Sequence, residues 1–69
     1  MTDPLSERER EVLGLLASGK TNREVAAELY VSPGTVKAHV AAIYRKLGAH
    51  NRAEMLNKAR AFGLLDPSR

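Results

Sequence analysis

Between Thr21 and Val40 the chain reads TNREVAAELYVSPGTVKAHV, two amphipathic runs with almost no linker between them. No other stretch constrains the fold as tightly. Thr21 and Glu24 have the spacing of a capping box, in which a hydroxyl and a carboxylate each satisfy an orphan N–H at a helix start. Ser32 followed by Pro33 marks a second start, because a proline at the first helical position gives up an N–H that has no partner there. Little more than Tyr30, Val31 and Ser32 joins the two runs, and a turn this short makes the helices cross steeply, with Ala26 small enough to let them approach. Tyr30 stands where such turns commonly carry glycine.

The other boundaries follow the same rules. Ser6 with Glu9 repeats the capping pattern ahead of Val12, Leu13, Leu16 and Ala17, and Gly19 stops that helix. In the second helix Val25, Ala26 and Leu29 face inward. After Pro33, the residues Val36, Val40, Ile43 and Leu47 recur at spacings of four, three and four and form one narrow apolar stripe before Gly48. Asn51 with Glu54 opens a last helix that is expected to bury Met55, Leu56, Ala59 and Phe62, with Gly63 ending it and Leu64 and Leu65 folding back over the core edge. No strand pattern and no repeat interrupts this series. The expectation is an all-α, four-helix bundle forming a single domain over residues 1–69, with its core from 5 to 65.

The third helix shows an unusual surface. At steps of about 100° per residue, Gly34, Ala38, Ala41 and Arg45 fall opposite the valine stripe. Lys37 and Tyr44 border one flank; Thr35, Ala42, His39 and Lys46 border the other. Small side chains flanked by bases suit a helix pressed into the DNA major groove, which just admits one; alanines can touch thymine methyls while bases reach guanine edges or phosphates. Alanine is also simply a good helix former, and that reading stays open. Charge is divided along the chain. Up to Glu28 the acids Asp3, Glu7, Glu9, Glu11, Glu24 and Glu28 exceed Arg8, Arg10, Lys20 and Arg23. From Leu29 onward Lys37, Arg45, Lys46, Arg52, Lys58, Arg60 and Arg69 face only Glu54 and Asp66. A basic half attracts polyanions, although a solvated helical surface explains the charge alone equally well.

Several functions fare poorly. The chain has no cysteine, and its two histidines, His39 and His50, lie on different elements, so no metal site is expected and no cofactor is implied. No serine–histidine–carboxylate set or glycine-rich phosphate loop is evident, which argues against an enzyme. A helical protein-docking module would show leucines or aromatics where the third helix has alanines and bases. Single-strand RNA readers rely on stacking aromatics, and only Tyr30, Tyr44 and Phe62 are present. No apolar run reaches the roughly 20 residues that span a bilayer, so no membrane partner is expected. The opening MTDPLSERER lacks the apolar core of a secretory signal, which fits a cytoplasmic protein.

From Leu5 to Leu65 the sequence resembles the DNA-binding domain of LuxR-type (FixJ/NarL-type) bacterial transcription regulators. The pieces that carry the resemblance are EREVL, GKTNREVAAEL, VSPGTVKAHV and IYRKLGAHNRAE, in the family's order and spacing; Tyr30 in place of glycine is ordinary within it. The resemblance implies a helix-turn-helix over about 21–47, with a recognition helix over 33–47 in the major groove. It implies that Lys37, Ala38 and Ala41 face base edges, and that Thr21 and Asn22 contact phosphate at a helix N-terminus, which favours an anion. Ser32, Thr35, His39 and Arg45 are further backbone candidates, although Ser32 and Thr35 can instead serve only as caps. Where this chain has Ala41 some relatives carry a polar residue, so fewer hydrogen bonds to bases are expected. The resemblance further implies a weak homodimer through a fourth helix over about 52–62, whose outer face carries Ala53, Asn57 and Arg60, with binding as a dimer on paired half-sites. Double-stranded DNA is the main implied partner, RNA polymerase a candidate one, and the bacterial nucleoid the implied location.

Overall fold

The computed structural model describes residues 5–65 and contains four helices in chain order: α1 (Glu7–Ala17), α2 (Asn22–Leu29), α3 (Pro33–Leu47) and α4 (Arg52–Ala61), with no strand among the described residues. Each helix start is built by its own sequence. The Ser6 Oγ accepts the Glu9 N–H at 3.1 Å while the Glu9 carboxylate accepts the Ser6 N–H at 2.9 Å. Thr21 and Glu24 make the same reciprocal pair at 3.1 and 2.8 Å. Ser32 Oγ accepts the Thr35 N–H at 3.2 Å ahead of Pro33. At α4 the pattern is offset. Asn51 Oδ1 accepts the Glu54 N–H at 2.8 Å, but the Glu54 carboxylate turns one residue further back, to the His50 N–H at 2.7 Å.

All four helices end alike, on a residue with positive φ followed by an amide that reaches back five positions to a helical carbonyl. Such a reach satisfies an orphan carbonyl at the helix end. Three of these residues are glycines; the fourth is Tyr30, at φ 59° and ψ 42°. The Val31 N–H then reaches the Ala26 carbonyl at 3.0 Å, which closes α2 and turns the chain directly into the Ser32 cap.

One apolar core unites the helices. Val12, Leu13 and Leu16 of α1, Val25 and Ala26 of α2, Val36, Ile43 and Leu47 of α3, and Met55 and Ala59 of α4 are buried, with Leu5 and Ala49 closing the ends. α3 packs against all three other helices. Its expected stripe is reproduced except that Val40 is only half-buried, as is Leu29 on α2. The last helix differs from expectation at Phe62, which is 55% exposed. The helix stops at Ala61, and Phe62 is its C-cap, past the last turn that rests on the core; Leu64 and Leu65 pack there instead. Leu56 is half-buried.

Glu9 is the buried charge of the core edge. Besides the Ser6 amide, its carboxylate receives the Lys46 ammonium of α3 at 2.8 Å. Those donors hold its pKa below the ordinary glutamate value, the Lys46 hydrogen bond foremost, against the opposing effect of burial. The pair ties the start of α1 to the last turn of α3.

Candidate nucleic-acid interface

The core fixes which side of α3 meets solvent. Because Val36, Ile43 and Leu47 are fully or almost fully buried, the opposite side is presented outward, and Gly34, Lys37, Ala38, Ala41 and Arg45 are all exposed. No side chain bulkier than alanine interrupts the middle of this face, and long cationic chains stand at its margin and far end. Lys37 and Arg45 make no ion pair among the described residues, so both charges are available. Lys46 is different. Its helical angle puts it on a flank of the exposed face, but Glu9 holds its ammonium against the α1 cap. His39 is half-buried, which withdraws part of its ring from the open face, and Ala42 is half-buried beside it.

Ser32 and Thr35 are exposed at the start of α3, where their hydroxyls lie 3.0 Å apart and Ser32 caps the helix. The capping role left open for Ser32 is therefore filled, and both hydroxyls remain at the surface. Thr21 and Asn22 are exposed at the start of α2. The Glu24 N–H is consumed by Thr21 Oγ1, which leaves the first amides of the helix, Asn22 and Arg23, without an intrahelical acceptor. The Glu24 carboxylate also occupies this end, turned onto the Thr21 N–H.

On α4, Ala53, Asn57 and Arg60 are exposed and share one side, away from buried Met55 and Ala59. His50 Nδ1 lies 3.2 Å from Glu54 Oε1, beside the Lys58 ammonium that donates to the Gly48 carbonyl at 3.0 Å. Chiefly through the His50 backbone N–H, the Glu54 carboxyl is held below its usual pKa. A residue not singled out by sequence reasoning is Arg52, whose Nη2 donates to the Leu16 carbonyl at 2.5 Å and the Lys20 carbonyl at 3.1 Å. Its partners lie more than thirty positions earlier in the chain, and no local pattern signals them.

Among the described residues no cluster of histidine and carboxylate side chains could hold a metal ion. No described helix is long and apolar enough to cross a membrane. What the surface offers is a helix face of low relief with two exposed cations beside it, and next to it a second helix whose first amides have no intrahelical acceptor.

A model of the family described as bacterial regulatory proteins, luxR family, matches residues 3–59. The probable transcriptional regulatory protein NarL of Mycobacterium tuberculosis is 52% identical over 62 residues, covering 90% of this chain and 29% of its own length. The structure of the transcription factor GerE superposes with a TM-score of 0.88 at 28% identity, covering 94% of this chain and 97% of that one. The structure of the Vibrio cholerae VqmA dimer, described in relation to its target DNA and to LuxR-type receptors, superposes with a TM-score of 0.81 at 35% identity, covering 91% of this chain and 29% of that one. The chain spans less than a third of the length of the curated relatives it matches.

Proposed function

The chain belongs to the luxR family of bacterial regulatory proteins and has that family's four-helix, helix-turn-helix DNA-binding fold, and from this premise we propose how it reads DNA. Its relatives are transcription regulators and not enzymes. In our reading α3 lies in the major groove of double-stranded DNA and discriminates sequence, α2 anchors on the phosphate backbone, and two copies occupy paired half-sites through α4.

One observation carries the reading. The exposed side of α3 combines Gly34, Ala38 and Ala41 with Lys37 and Arg45, cations without an ion pair among the described residues, while its other side is locked into the core. A rigid helix with low relief can sit deep in a groove about 12 Å wide. At that depth Ala38 and Ala41 meet base edges as apolar contacts, for which the thymine methyl is the matching group, and Lys37 is the side chain with the length and donors to reach a guanine edge. Arg45 stands two turns further along and is suited to phosphate. Thr21, Asn22, Ser32 and Thr35 supply hydroxyl and amide donors at two helix starts, where the partial positive charge of the helix adds to the attraction. His39, half-buried on the flank, is the weakest of the proposed contacts. The VqmA structure is that of a dimer; pairing in this chain would use the side of α4 with Ala53, Asn57 and Arg60.

Competition titrations on a selected duplex and on random duplex test the division of labour. Lys37→Ala is expected to weaken the selected duplex more than the random one, by about 1–3 kcal/mol, as for a base contact. Asn22→Ala is expected to weaken both equally, as for a phosphate contact. Equal losses for the two variants would remove Lys37 from the base-reading set. Affinity for both duplexes falls with salt, by about 0.9 in log–log slope for each neutralised phosphate, and a slope near zero would remove the electrostatic account.

A further inference from the structure

We propose that Arg52, the first residue of α4, is a positioning residue for the phosphate contact at the start of α2. The proposal rests on the reading of Thr21 and Asn22 given above. The Arg52 Nη2 atom bridges two carbonyls, Leu16 at 2.5 Å and Lys20 at 3.1 Å. α1 has no basic residue in its own last turn, so the guanidinium reaching over from α4 supplies the cation that a helix C-terminus favours.

The second of these bonds has the larger consequence. The Lys20 carbonyl belongs to the same peptide unit as the Thr21 N–H, and that N–H is held by Glu24 Oε1 at 2.8 Å. Both polar ends of this one planar unit are therefore fixed, its oxygen by α4 and its hydrogen by α2. Its plane sets the φ from which Thr21 starts α2, −79°. With the oxygen released, the plane can rock, and the Asn22 side-chain amide loses its fixed orientation toward a phosphate. Arg52 thus couples the helix proposed to pair two copies with the helix end proposed to grip the backbone, without itself touching DNA.

Four proteins test this: the wild type, Arg52→Met, Asn22→Ala and the double variant. Methionine keeps the apolar stem and removes every donor; Arg52→Gln, too short to bridge the two carbonyls, serves as the second variant if Arg52→Met does not fold. Affinities for selected and random duplexes are measured below the melting midpoints of all variants. Arg52→Met is expected to lose about three- to tenfold on both duplexes, the value of one hydrogen bond. The double variant is expected to bind within about twofold of Asn22→Ala, because the two changes remove the same contact. In the free protein, the amide resonances of Thr21 and Asn22 are expected to shift in Arg52→Met while those of Lys37 and Ala41 stay. Additive losses would show that Arg52 acts through its own charge, and an unchanged affinity would show that the bridge is structural only; either overturns the proposal. If Asn22→Ala alone leaves random-duplex affinity intact, the phosphate reading falls, and the proposal falls with it.

Discussion

Replacing Tyr30 by glycine should make the protein more stable. Tyr30 is the one non-glycine residue at positive φ among those described, at 59°, and its side chain is 94% exposed. For an L-residue the left-handed region costs roughly 1–2 kcal/mol, through the approach of Cβ to the carbonyl oxygen. Glycine removes that strain but loses more freedom on folding, a penalty of about 0.5–1 kcal/mol. Almost no apolar area is forfeited, because the ring already stands in water. The net expectation is a gain of about 0.5–1 kcal/mol, which in a domain of this size raises the melting midpoint by about 2–8 °C. Circular dichroism during heating and during urea titration measures it, with the urea slope unchanged because the area exposed on unfolding is the same. Tyr30→Ala is the control: it removes the ring and keeps the strain, so it should lie within about 0.5 kcal/mol of wild type. A glycine variant no more stable than the alanine variant would refute the argument, and would mean that the exposed ring stabilises the turn.

Other expectations follow from the same geometry. Val36→Asp should leave the domain unfolded at 25 °C by circular dichroism, since an unpaired charge at a fully buried site costs as much as a small domain has to lose, on the order of 5–10 kcal/mol; Lys37→Ala, on the exposed side of the same helix, should shift stability by less than about 0.5 kcal/mol. Glu9→Gln should cost about 1 kcal/mol at neutral pH by weakening charge-assisted bonds to Lys46 and Ser6. Because folding lowers the Glu9 pKa, its contribution is complete above the unfolded glutamate value, about 4.3, and disappears as pH falls through the lower folded value; urea midpoints from pH 7 to 3 should therefore decline less steeply in Glu9→Gln than in wild type. Ala53→Glu adds bulk and charge to the outer side of α4, so on a two-half-site duplex it should abolish cooperative binding while sparing affinity for a single half-site, measured by gel shift. Cooperativity equal to wild type would move the pairing contacts off α4.

What the sequence alone determined lies close along the chain. All four N-caps and the three glycine endings were readable because each joins residues three to five positions apart, and such contacts form wherever the local pattern occurs. The exposed side of α3 was readable too, since a helix with one buried stripe has only one side opposite it, and Lys37, Ala38, Ala41 and Arg45 lie there. Tertiary structure decided the rest. Phe62 fits the buried stripe of α4 by angle, yet it is exposed as the C-cap beyond Ala61, while Leu64 and Leu65 pack against the core. By sequence, Lys46 borders the exposed side of α3 and Arg52 is one more base of the basic half. Each is instead held by an element far away in sequence, Lys46 by Glu9 of α1 and Arg52 by the carbonyls of Leu16 and Lys20. A helical period gives the direction of a side chain but not its partner, because the partner depends on where the packed core brings a distant helix end.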